Sequence, residues 1–453
     1  MNVISGYNLN EVPSVAGDQC TREADGSSGG RTVLVLVPAL LVAAGIVLSS
    51  SQDRGLGDLV AENSTLGGRL IYYCGIASAL VFLTLAARSY GSIVSRCRTN
   101  VLLCSLIGVA VASCAWSQSS LLTLKLSFLL CSSMAFSLWL AAKVSPVQQM
   151  KLLMLTGLSA ALISIGVVVV LPSHGLDTLH AAAWQGAFYS KNHMGRIFLF
   201  FLTPAIHYPG HAKPWRIVYI LLMLFMIAMS QSKTALLALC LYILFAAGMK
   251  VTSLFSKRSG QLIVSVASML FLGTAIVVVH YLDQILGLIG SDSSLTGRTD
   301  IWKVLLISAQ QRPLLGFGYQ EFWAGTTSEG FNAFVALRSL TGYIGSYAHS
   351  GYLAVLLEEG LLGLTLLGAL IFKATIDGWR CLTGNHDSYI RWYCGIIFLS
   401  VIYNLDEVTF MMPLYLPWMM FVLAAIGLSD AAGDLRARCG MHRVPAKQSQ
   451  ARA

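Results

Sequence analysis

Apolar runs of about 16–22 residues recur along nearly the whole chain, and each can cross a hydrocarbon core of about 30 Å as a helix. Twelve such spans are read at roughly 33–50, 70–87, 101–116, 121–142, 152–171, 195–208, 217–230, 234–249, 262–280, 350–372, 392–404 and 413–428. Lipid leaves an unpaired peptide group without a partner, so helices are the expected form. One long polar stretch, Asp283 to Gly363, interrupts the pattern. It opens with Ser294-Leu295-Thr296-Gly297-Arg298-Thr299-Asp300-Ile301-Trp302 and closes with Tyr347-Ala348-His349-Ser350-Gly351-Tyr352. The prediction is an all-α polytopic membrane protein of about twelve transmembrane helices. Its parts are a tail over 1–32, helices one to nine within 33–280, a large loop over 281–349, helices ten to twelve within 350–428 and a second tail over 429–453.

Composition narrows the class. Hydrophobic residues make up 56% of the 453 and charged ones 11%, which excludes an ordinary soluble domain. The net charge of +9 is mostly a topology signal. With both tails placed inside, twenty Lys and Arg fall on the inner side and nine on the outer, which predicts an N-in/C-in chain with the large loop outside. Nucleic acid is therefore not an expected partner. The ten cysteines avoid the polar stretch, so no disulfide framework supports it. Residues 1–32 are too long and too weakly basic for a signal-peptide leader region, and Val33–Ser49 reads as a retained first span.

Basic residues on the outer side run against the charge rule. Lys191, Arg196, Lys233, Arg298, Arg312 and Arg338 lie near span ends or in the long loop. A basic outer cavity suits an anionic headgroup such as a lipid-linked phosphate or diphosphate; the alternative is snorkelling to membrane lipid. Lys233 opens the eighth span, where the helix dipole disfavours a cation. A bound phosphate, Asp406 or Glu407 would offset that, and a capped αα turn is the structural alternative. Asp406-Glu407 otherwise reads as a solvated turn or a magnesium chelate. Gly297 to Leu306 reads as a helix start capped by Thr296 or Thr299, with Ile301, Trp302, Leu305, Leu306 and Ala309 as an apolar stripe lying on the membrane face. It should stop before Pro313, and Gly316-Phe317-Gly318 should turn the chain back.

His349 precedes a span whose N-cap is read as Ser350. The positive end of that helix and nearby arginines should lower its imidazole pKa and keep it neutral, as a general base requires. A satisfied interfacial histidine is the alternative. On a continuous helix, Gly360 and Gly363 share the face of His349 and let another helix approach closely, while Glu358 points the other way. Metal-ligand spacing, phosphate-binding loops and nucleophile elbows are absent from the sequence.

These motifs together resemble a known family. Gly297-Arg298-x-x-x-Trp302, Pro313-Leu314-Leu315-Gly316-Phe317-Gly318 and His349-Ser350 followed by Gly360-x-x-Gly363 are similar to the O-antigen ligase/polymerase (Wzy/WaaL-like) superfamily. Lys191-Asn192-His193-Met194-Gly195 and Ser230-Gln231-Ser232-Lys233-Thr234 add to the match, and the pattern is most like exopolysaccharide polymerases of the ExoQ type. The resemblance implies a GT-C-like glycosyltransferase of the bacterial inner membrane that acts on undecaprenyl-diphosphate-linked oligosaccharide. It also implies no cofactor, nucleotide sugar or required metal, and a flippase and chain-length co-polymerase as partners. Carried over, His349 is the base or acceptor-positioning group, Arg298 contacts the diphosphate, and Lys233 stands where many ligases have arginine. Lys191, Asn192, His193, Arg312, Arg338 and Ser350 are the candidate substrate-binding residues. Lysine at 233 keeps the charge and loses bidentate phosphate binding, which weakens the lipid A–core ligase reading. A transporter is the alternative from another class; the chain lacks repeat symmetry and has few mid-span charges.

Overall fold

The computed structural model describes residues 66–177, 183–210, 213–252, 296–324, 327–341, 348–384 and 387–441. The main helices are α1 (Leu66–Ala87), α2 (Tyr90–Thr99), α3 (Val101–Ala112), α4 (Ser120–Lys143), α5 (Pro146–Val170), α6 (Lys191–His207) and α7 (Pro214–Met229). They continue as α8 (Lys233–Thr252), α9 (Thr296–Ala309), α10 (Ser328–Thr341), α11 (Gly351–Gly384), α12 (Ser388–Asp406) and α13 (Leu416–Met441). Local sequence explains several ends. Pro146 and Pro214 sit in the first turn, where their missing N–H costs nothing. Ser190 accepts the His193 N–H at 3.3 Å and so caps α6.

Among the described residues, five helices are long and apolar enough to cross a membrane: α4, α5, α8, α11 and α13. A sixth is obtained if α1 and α2, bent by 92° at their junction, form one span. The protein is thus a multi-pass helical membrane protein. The predicted spans 101–116 and 217–230 appear as the shorter apolar helices Val101–Ala115 and Pro214–Met229. Those at 33–50 and 262–280 lie outside the described residues, as do both tails in large part and the start of the 281–349 loop.

α12 is central, packing against α11, α13, α6 and α8. Its Trp392, Tyr393 and Tyr403 are wholly buried. The two ends of the bundle differ. At one, Arg96 pairs with Asp430 at 2.9 Å, and buried Asp377 receives Lys373 at 2.8 Å and Arg436 at 3.2 Å. At the other, Arg196 and Arg298 meet the residues that follow α12. Basic residues assigned by sequence to the inner and outer sides therefore gather at opposite ends.

The large loop is folded where it is described. α9 starts at Thr296 and stops before Pro313, as expected. Its apolar stripe is turned mostly to protein: Ile301, Leu305 and Ala309 are buried and the Trp302 indole donates to the Ala348 carbonyl at 2.9 Å, while Leu306 stays exposed. Gly316 (φ 65°) and Gly318 (φ 114°) turn the chain back.

That turn changes α11. The helix is broken at Gly360 (φ 66°, ψ −162°), so the continuous-helix geometry expected beneath His349 does not hold. The break strips Leu357 and Glu358 of helical acceptor roles, and the loop replaces them. Phe317 N–H donates to Leu357 O at 2.8 Å and Gly318 N–H to Glu358 O at 2.9 Å. In return Leu361 N–H donates to Pro313 O at 2.8 Å and Leu362 N–H to Leu314 O at 3.1 Å. Close approach is indeed what Gly360 permits, but the neighbour is loop backbone, not a helix: a Cβ there would lie 2.3 Å from Leu314 C. Gly316 is the reciprocal case, 2.5 Å from Glu358 C. Glu358, buried beside the break, accepts from Trp323 Nε1 at 2.8 Å and from Gln320 Nε2 at 3.3 Å.

Candidate active site

Five segments converge where α12 ends. Glu407, just past that helix, is buried and takes Arg196 of α6 at 2.7 Å. Arg196 also donates to the Tyr415 hydroxyl at 3.1 Å and lies over the Tyr403 ring at 5.8 Å. Asp406 pairs with Arg298 in the first turn of α9 and accepts from Thr234 Oγ1, in the first turn of α8, at 2.8 Å. The backbone N–H of Gly351, which opens α11, donates to Glu407 O at 3.1 Å. Asn404 ties the α12 end together, its Oδ1 accepting from the N–H groups of Thr409 and Phe410 at 2.8 and 2.9 Å. The Asp406-Glu407 pair is therefore no solvated turn. Each carboxylate is engaged by a guanidinium.

His349 sits beside this double ion pair with φ 49°, a left-handed backbone that few non-glycine residues adopt. Its imidazole is lowered from the ordinary 6.5 to about 4. Burial is the largest cause; Glu407 pulls the other way, and Arg298 and Arg196 reinforce the fall. The neutral ring expected from the helix dipole is present, with desolvation as the main reason. Burial raises the Glu407 carboxyl, but Arg196, His349 and Arg298 outweigh it and leave the group below its usual range, hence ionised. Ser350 does precede the helix, and its hydroxyl donates to Asn404 O at 3.4 Å.

The other candidates are placed variously. His193 is buried one turn before Arg196 and packs edge-on against Tyr415, 5.3 Å between ring centroids. Lys191 and Asn192 are half-buried at the same helix start. Lys233 is exposed next to Thr234, and among the described residues no ion pair holds it; Asp406 goes to Arg298 instead. Arg312 is engaged elsewhere, 3.7 Å from Glu329 and over the Phe317 ring at 5.0 Å. Arg338 is exposed on α10 with no recorded contact to the cluster. The sequence places Arg196 in the outer basic cluster without a role at the site, and offers Asp406 and Glu407 only as a solvated turn, a magnesium chelate or a counter-charge to Lys233. The available signal was two adjacent acids at a span end facing an excess of outer bases. Among the described residues, no three His, Cys, Asp or Glu side chains gather as a metal set.

Such a cluster can do two things chemically. A neutral imidazole can accept a proton from a hydroxyl, and guanidinium groups can hold a developing anionic charge.

Part of the chain is similar to known proteins. Residues 218–368 match the family model described as O-antigen ligase (Wzy_C). The match includes Lys233, Arg298, the Gly316–Gly318 turn and His349, while Arg196, Asp406 and Glu407 lie outside it. The chain is 33% identical over 205 residues to the exopolysaccharide production protein ExoQ of Rhizobium meliloti (strain 1021), covering 42% of this chain and 46% of that relative. It thus spans about half the length of the curated relative it matches. Residues 218–368 are thus similar to the O-antigen ligase family, and the chain is similar to an ExoQ exopolysaccharide production protein, as its motifs led one to expect.

Proposed function

We propose that this protein is a polysaccharide polymerase of the bacterial inner membrane. It joins oligosaccharide repeat units carried on undecaprenyl diphosphate at the periplasmic face during exopolysaccharide production. The observation that carries the reading is a neutral His349 held beside Arg298 and Arg196 where α6, α8, α9, α11 and α12 meet. The acceptor hydroxyl gives its proton to His349 as its oxygen bonds the anomeric carbon. The bond from that carbon to the diphosphate oxygen breaks, and the leaving group departs with the electron pair. Arg298 and exposed Lys233 offset the charge in place of a metal, with Lys191 on the rim. The imidazolium then returns its proton to water. Direct displacement inverts the anomeric centre.

His349→Ala in a polymer-deficient host is expected to cut polymer formation by about 10²–10⁴-fold at unchanged protein level. Normal long-chain polymer would sink the assignment. The pH profile is a separate check. kcat/KM should stay level as pH falls through 6.5 and drop only near 4, where His349 protonates. An acid limb at the ordinary histidine value would show that another group is the base. The same depressed pKa works against stability. Between 6.5 and about 4 the unfolded chain takes up a proton that the folded one refuses, so the destabilisation is absent above that window and grows as pH falls through it.

The description of the matched family as O-antigen ligase favours a second acceptor, lipid A–core. In that case a deletion strain loses only glycan attached to lipopolysaccharide, whereas a polymerase deletion loses long polymer. A flippase and a chain-length co-polymerase are the proposed protein partners.

A further inference from the structure

Pro313-Leu314-Leu315 is an apolar turn whose three carbonyls all accept hydrogen bonds from protein. The carbonyls of Pro313 and Leu314 accept from Leu361 and Leu362, and that of Leu315 accepts from the Trp116 indole at 3.2 Å. The N–H groups that follow are also placed. Gly316 bonds Arg312 O at 3.1 Å, Phe317 and Gly318 bond α11, and Tyr319 bonds Ser113 Oγ at 2.9 Å. Yet the leucine side chains point outward: Leu314 is 68% exposed, with Leu315, Leu361 and Leu362 exposed around it. A turn washed by water would not need this backbone pairing, and apolar tips would be unfavourable there.

Depth can be counted from the opposite end of the bundle. Below the break α11 runs unbroken to its first charged residues, Lys373 and Asp377, which join the ion-pair network there. Leu361 lies twelve and sixteen residues above them, about 18–24 Å along the helix. That is less than the hydrocarbon thickness of about 30 Å. Leu361 and Leu362 therefore lie within the hydrocarbon near its outer edge, and their backbone bonds hold Pro313 and Leu314 at the same depth.

We propose that Leu314 and Leu315 form a wedge inserted among the lipid acyl chains of the outer leaflet, anchoring the α9–α10 loop to the bilayer. Non-helical backbone is tolerated at such depth where protein supplies its hydrogen bonds, and α11 and Trp116 supply them to the three carbonyls of this turn. The exposed tips are continuous with the exposed leucines of a membrane-crossing helix, which identifies lipid as the occupant. Nothing in this inference rests on the chemistry assigned to His349.

The test places p-benzoyl-phenylalanine at position 314 of the full chain in native membranes. Irradiation should yield an adduct carrying phospholipid. A crosslinked dimer, or an internal crosslink into this chain, would overturn the proposal by showing that protein covers the turn. In parallel, Leu314→Cys is treated with an impermeant maleimide on spheroplasts, against wild-type background and exposed Lys303→Cys. A thiol in hydrocarbon forms little thiolate, so labelling about tenfold slower than at 303 is expected. Labelling at the 303 rate would overturn it too.

Discussion

Gly360→Ala is expected to unfold the region around the α11 break, seen as a large fall in the Tm of the detergent-solubilised protein and in its membrane level. The backbone at 360 occupies a region that is nearly glycine-only, which costs a substituted residue about 1–3 kcal/mol. The new Cβ would also lie 2.3 Å from Leu314 C and O, and backbone on both sides cannot move without losing the bonds that span the break. Gly316→Ala should behave the same way, since it meets Glu358 backbone from the opposite side. Gly368→Ala is the internal control. It lies in the helical part of α11 with nothing within 4 Å of the added Cβ, so a gain of up to about 1 kcal/mol is expected there. A Gly360→Ala protein that melts with wild type would mean that the interlock is not holding the loop.

The second large effect is at the Arg196–Glu407 pair. Both side chains are more than nine-tenths buried, so Arg196→Met leaves a carboxylate in a low-dielectric site with its main partner gone. Breaking such a pair from one side typically destabilises by about 3–5 kcal/mol. Replacing both partners removes the stranded charge. Arg196→Met/Glu407→Gln is therefore expected to be more stable than Arg196→Met alone, a non-additivity that a double-mutant cycle reads directly. Additive effects would indicate that the two groups do not depend on each other. The cycle also has a signature at His349. Glu407 raises the imidazole pKa, so Glu407→Gln should shift the acid limb of the pH profile further down, whereas a change in fold alone has no reason to move it in that direction.

Much of this molecule could be read from one dimension. Apolar runs of bilayer length define helices whatever surrounds them, because lipid forces each segment to satisfy its own backbone. The asymmetry of Lys and Arg sorted the helix ends into two groups, and the described residues gather as two matching ends. The α9 start, its stop before Pro313 and the glycine turn were legible because capping, proline and positive-φ chemistry are local. The lowered pKa of His349 was also foreseen, although the helix dipole was credited with an effect that belongs mainly to burial.

Only the tertiary structure decided the rest, and in each case the reason is a partner distant in sequence. Helical periodicity assumes an unbroken helix, so it set Gly360 beneath His349; the break depends on a loop more than forty residues earlier that supplies the missing hydrogen bonds. Periodicity also found the stripe on α9 but could not say whether lipid or protein covers it, since both are apolar; protein covers Ile301, Leu305 and Ala309, and Leu306 stays exposed. Asp406 and Glu407 looked like a solvated turn because their counter-charges, Arg298 and Arg196, come from α9 and α6. For Lys233 the expected counter-charge was a bound phosphate, Asp406 or Glu407; in the fold Arg298 takes Asp406 and Arg196 takes Glu407. The sequence by itself determined which segments are helices and which residues are charged at each end. Which charges meet, and what is buried when they do, was decided by packing, because burial and pairing belong to no single segment.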